Sequence, residues 1–81
     1  MTKRERAVNA KAFGLALRAL REKRKLKQEE LGDMCGGLAQ AYIAQLETGV
    51  RVPSRTVRGK LAEVLKVDEM KLEALLSGRS K

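Results

Sequence analysis

Histidine and tryptophan are absent from the 81 residues, and cysteine, proline, tyrosine and phenylalanine occur once each. Without histidine there is no imidazole metal site and no His-based acid–base or triad chemistry. The single Cys35 permits neither an internal disulfide nor a zinc cluster, and one unbridged thiol suits the reducing cytoplasm. No stretch approaches the ~20 apolar residues of a membrane helix. The nearest, residues 12–20, is broken by Arg18 and followed by Arg21, Lys23, Arg24 and Lys25. These absences point to a soluble, non-enzymatic protein with no membrane-spanning segment, no cofactor and no bound metal.

What is present is charge. Lysine and arginine number 18 against ten acidic residues, a net +8, and the sequence pI is near 10.2. That balance favours a polyanionic partner, nucleic acid before an anionic membrane surface. A hydrophobic fraction of 43% supports a packed core. At this length the chain makes one small domain, burying only about 60% of its unfolded surface, and it gains from a partner.

The apolar residues recur at helical spacing in five segments and nowhere alternate cleanly. The first, about 9–24, places Phe13, Leu17 and Leu20 on one stripe. The second starts at Gln28, carries Glu29 and Glu30 in its first turn, and is expected to bury Leu31, Met34 and Cys35 before Gly36-Gly37 stops it. The third, about 39–48, turns Ile43 and Leu46 inward and ends at Gly49, a left-handed cap. Pro53 holds Val52 extended, and Ser54 caps a fourth helix with Val57, Leu61, Val64 and Leu65. Asp68 caps the fifth, with Val67 and Leu72 as a staple and Met70, Leu75 and Leu76 along it, closing at Gly78. The expected fold is all-α, five short helices, with a basic arm at 1–8, the domain at 9–78 and a tail at 79–81. Basic blocks flank a neutral-to-acidic pair of helices. Residues 1–27 hold ten basic and two acidic residues, 28–50 hold four acidic and no basic ones, 51–60 hold four basic ones, and 61–81 balance.

Segments two and three with their tight connection have helix-turn-helix spacing over about 28–48. The run Leu20-Arg21, Lys27-Gln28-Glu29-Glu30-Leu31, Tyr42-Ile43-Ala44-Gln45-Leu46-Glu47-Thr48-Gly49, Arg51-Val52-Pro53-Ser54 and Leu61-Ala62 resembles the Cro/C1-type (Xre-like) repressors, over residues 13–76. The resemblance implies a lambda-repressor-like fold that binds double-stranded DNA sequence-specifically as a homodimer on a palindromic operator, regulating transcription in a bacterial or phage cytoplasm. It implies that Gln40, Ala41, Tyr42 and Gln45 read bases. Gln28, Thr48, Arg51 and Arg55 would touch the DNA backbone, with Gln28 also bracing helix three. Lys3 and Arg4 would belong to an arm wrapped around DNA. It further implies a structural ion pair between Arg21 and Glu47 and a dimer interface at Met70, Leu75 and Leu76. No small-molecule ligand is expected. A protein–protein module of the same fold, an antitoxin or small cofactor, is the alternative.

The sequence departs from the family pattern at several points. Leu31 to Ile43 is twelve positions against the usual eleven, with Gly36-Gly37 the site of the extra residue, so the turn is expected to be looser. Lys25 stands in a slot where glycine is common, and Lys27 and Ala39 replace Ser or Thr caps, each at about 1 kcal/mol. Arg58 stands where an apolar side chain is common.

Several residues carry two readings. Outward Gln40 and Gln45 are solvated amides or adenine readers, since an amide matches adenine N6 and N7. No Lys or Arg lies between Gln28 and Val50, so an A·T-rich core site, or guanine read from flanking arms, is expected. Tyr42 contacts DNA or covers the turn. Cys35 is a small core residue or a redox switch. Arg21, Lys23, Arg24, Lys25 and Lys27 form a phosphate-facing ridge or a solvated helix end. Met70, Leu75 and Leu76 complete the core or form a dimer seam.

Overall fold

The computed structural model describes residues 3–77. Five helices follow in order: α1 Lys3–Lys23, α2 Gln28–Met34, α3 Gln40–Thr48, α4 Arg55–Leu65 and α5 Glu69–Ser77. There is no strand among the described residues. Residues 3–8, expected to be an arm, are the opening turns of α1. Their polar character gives no apolar period, which is why the sequence reading started the helix near residue 9. The expected closure at Gly78 and the tail 79–81 lie outside the described residues, as do Met1 and Thr2.

One residue type per helix boundary explains most of the connections. Ser54 Oγ accepts the Val57 N–H at 3.2 Å, capping α4, and Asp68 Oδ1 accepts the Met70 N–H at 2.9 Å at the start of α5. Gly49 closes α3 at φ 83°. Lys27 and Ala39 occupy the N-cap positions of α2 and α3 and cap neither with a side chain. At α2 only the reciprocal contact forms, Glu30 Oε1 accepting the Lys27 N–H at 2.7 Å. Lys25 has φ 58°, the left-handed conformation its slot calls for.

The turn between α2 and α3 is not loose, although it holds the extra residue. Gly36 and Gly37 have φ of 95° and 92°, a conformation side chains rarely adopt. That path returns the chain onto α2, where the Gly32 carbonyl accepts N–H groups from Gly37 at 3.1 Å and Leu38 at 2.8 Å. The added residue is absorbed by two left-handed glycines.

Phe13, Leu17, Leu31, Cys35, Ile43, Leu46, Leu61, Ala62, Leu65 and Leu72 form the buried core, so each helix contributes. Leu75, Leu76 and Tyr42 pack partly against it. Met34 corrects the sequence reading: it is 56% exposed, because α2 ends there and only Leu31 and Cys35 face inward. Helix α1 packs on α3 and α5, α2 on α3, and α4 on α5. The first crossing is close at Gly14, where a Cβ would drive into the carbonyls of Leu46 and Glu47. That contact fixes the C-terminal half of α3 against the scaffold. No described helix is long and apolar enough to cross a membrane.

Candidate nucleic-acid interface

Helix α3 is buried along Ile43, Leu46 and Glu47. Of its other residues Gln40, Ala41 and Thr48 are exposed, and Tyr42, Ala44 and Gln45 are half-buried. A nine-residue helix with one face sunk and the other free of charge is a presentable ridge, since no cation or carboxylate claims the outward positions.

A chain of polar contacts holds this ridge from beneath. Glu47 is buried to 6% exposure and takes the Arg21 guanidinium in a fork, Nε to Oε2 at 2.5 Å and a terminal nitrogen to Oε1 at 3.2 Å. The other terminal nitrogen of Arg21 donates to the Leu26 carbonyl at 2.7 Å, which fastens the α1–α2 connection. Hydrogen bonding to Glu47 raises the Arg21 pKa above its ordinary value, against the lowering effect of burial. Gln28 Nε2 donates to Glu47 Oε1 at 2.9 Å, and Gln40 Nε2 donates to Gln28 Oε1 at 2.6 Å. Arg21, Glu47, Gln28 and Gln40 therefore form one continuous network from α1 through α3 and α2 to the first residue of α3.

Further along the ridge, Arg51 Nε donates to Gln45 Oε1 at 2.6 Å. Thr48 Oγ1 is exposed and donates to the Gln45 carbonyl at 3.3 Å. Of the expected base-reading residues, Gln40, Ala41 and Gln45 thus line the open face, while Tyr42 is half-buried and packs on the core. Among the expected backbone contacts, Gln28 and Thr48 border the ridge, and Arg51 is tied to it. Arg55 instead lines a cleft of about 420 Å³ between α4 and α5 with Arg58, Glu69, Met70 and Glu73. Lys3 and Arg4 lie in the first turn of α1.

The basic run after Leu20 divides. Arg21 belongs to the buried network, and Arg24 Nε donates to the Leu65 carbonyl at 3.1 Å, capping the end of α4. Lys23, Lys25 and Lys27 are exposed. Neither the Arg24 cap nor the Arg51–Gln45 contact has a sequence signal, since each joins elements whose proximity only the fold decides. Cys35 is 2% exposed, and burial pushes its thiol pKa up, the opposite of a reactive cysteine. The described residues hold no group of His, Cys, Asp and Glu side chains that could bind a metal.

The family pattern for helix-turn-helix domains matches residues 17–72, which spans α2, α3 and most of the scaffold around them. The chain belongs to the Cro/C1-type helix-turn-helix family. Within it, the chain is similar to the HTH-type transcriptional repressor RghR of Bacillus subtilis, 46% identical over 57 residues, 69% of this chain and 42% of the repressor. It therefore spans less than half the length of that relative. The restriction-modification controller protein C.AhdI from Aeromonas hydrophila superposes with a TM-score of 0.75 at 33% identity, covering 82% of this chain and 94% of the controller. The clp gene regulator ClgR from C. glutamicum superposes at 0.73 and 20% identity, over 90% of this chain and 94% of its own. At that identity ClgR shares the fold. The helix-turn-helix pair of this family member is α2–α3, and α3 is its second helix.

Proposed function

We propose that this protein is a transcriptional regulator, in the repressor mode, which binds a palindromic operator in double-stranded DNA as a homodimer. The observation that carries the reading is the α3 ridge itself: an uncharged, amide-bearing face on the second helix of the motif, held in place by the Arg21–Glu47–Gln28–Gln40 network. A helix in that position enters the major groove, where side-chain amides match base edges. Gln40 reads a base through its remaining amide groups, because Gln28 takes only one of its hydrogens. Ala41 packs against a thymine methyl, and Gln28 and Thr48 hold the backbone at the two ends of the ridge. The net +8 supplies the sequence-independent attraction. Names of the relatives, a repressor and a controller protein, agree with this role.

Selection of bound fragments from random duplex DNA tests the proposal. The expected product is an inverted repeat with half-sites about 34 Å apart, one helical turn. Replacing Gln40 with alanine should weaken operator binding by ~1–3 kcal/mol and leave scrambled DNA almost unaffected. Recovery of unrelated sequences, with equal affinity for operator and scrambled duplexes, would overturn the reading.

A further inference from the structure

Arg51 departs from the role its position suggests. It follows α3 across the Gly49 cap and is exposed, which suits a phosphate contact. Its Nε, however, is spent on Gln45 Oε1 at 2.6 Å, which anchors the guanidinium to the middle of the ridge. We infer that Gln45 and Arg51 form a composite reading unit that selects guanine, an inference resting on the DNA-reading role of α3.

The chemistry of the pair carries this choice. Gln45 has its carbonyl oxygen engaged by a cation, so the group it has wholly free is its NH2 donor. Arg51 keeps the four hydrogens of its two terminal nitrogens, a fork that fits two acceptors side by side. The combined edge is rich in donors. Guanine shows two acceptors, N7 and O6, to the major groove, whereas adenine pairs one acceptor with a donor that this edge would oppose. Between Gln28 and Val50 the motif has no cation of its own, so guanine recognition has to be imported from outside α3. The Arg51–Gln45 contact does this, and it orients the guanidinium before DNA arrives, reducing the ordering cost on binding. Arg51 is thus a specificity-determining residue and Gln45 both a reader and the post that positions it.

The test is selection from random duplexes with the full chain and its variants Gln45→Ala, Arg51→Ala and Arg51→Lys, followed by affinities on the enriched operator. Arg51 is exposed and outside the core, so its variants should fold, with circular dichroism as the check. Wild type should enrich guanine at one position of each half-site. Gln45→Ala and Arg51→Ala should each lose that preference and weaken operator binding roughly five- to hundredfold, and the double variant should be little worse than either. Arg51→Lys should lose it too, because one ammonium cannot hold Gln45 and fork onto guanine. If Arg51→Ala weakens operator and scrambled DNA equally and leaves the enriched motif intact, Arg51 grips phosphate and the inference fails while the reading of α3 stands. If Gln45→Ala alone changes the motif, the composite unit is refuted. A wild type that enriches no motif overturns both the inference and the reading beneath it.

Discussion

Glu47 concentrates the polar energetics of this small domain in a single carboxylate. It is the one buried acidic or basic residue among residues 9–76, and it serves both Arg21 and Gln28. A buried ion pair is a weak source of net stability, because desolvating both charges offsets their attraction, yet removing one partner strands the other. Glu47→Ala should therefore destabilise the fold by about 3 kcal/mol, read as a lowered urea midpoint. Replacing both partners, Arg21→Met with Glu47→Leu, should recover most of that loss. Operator affinity should not recover with it, since Gln28 loses its anchor and Gln40 loses its orientation in turn. A double variant that regains stability and binding together would show that the network does not position α3.

At the scale of the helices, local sequence decided more than could be expected of elements this short. Ser54, Asp68, Gly49 and the Gly36-Gly37 pair stop or start helices where the chain reading put them, because each supplies a cap or a left-handed residue that physics demands at a terminus. Where the terminus has no such residue the element is weakened. Ala39 sits at the N-cap of α3 with φ −66° and ψ 147°, backbone angles ready for a capping side chain that alanine lacks. Ala39→Ser should raise stability by about 1 kcal/mol, a gain of roughly 4–8 °C in Tm for a domain of this size. No gain in a thermal melt would mean that water already serves the free N–H groups of α3. What the sequence concealed had two physical sources. The start of α1 is polar, so no apolar period announces it, and Met34 shares the helical spacing of Leu31 and Cys35 but falls past the reach of the core. The ridge was legible as outward glutamines. Its Arg51 tether and the place of Arg55 beside α5 were not, since both depend on how segments six or more residues apart meet in space.

For the whole molecule, a net charge of +8 sets a problem for pairing, because two copies repel before they touch. The cleft between α4 and α5 is where that repulsion is locally cancelled. It presents Arg55 and Arg58 with Glu69 and Glu73, two charges of each sign, around a Met70 side chain that is 73% exposed. In a two-fold interface a surface meets its own copy, so a patch carrying both signs can be complementary to itself. Leu75 and Leu76 pack partly on the core, leaving Met70 as the apolar contact of the proposed seam. Met70→Glu should then give monomers in sedimentation and a loss of cooperative operator binding, with the fold intact because the side chain is exposed. Charge exchange refines the test. Arg58→Glu and Glu73→Arg should each weaken the dimer, and the two combined should restore it, since opposite charges then meet again across the axis. A wild type that sediments as a monomer at high concentration, and stays one on operator DNA, would remove the homodimer. The same α4–α5 face would then be left for a different protein chain, and half-site binding would be all that α3 provides.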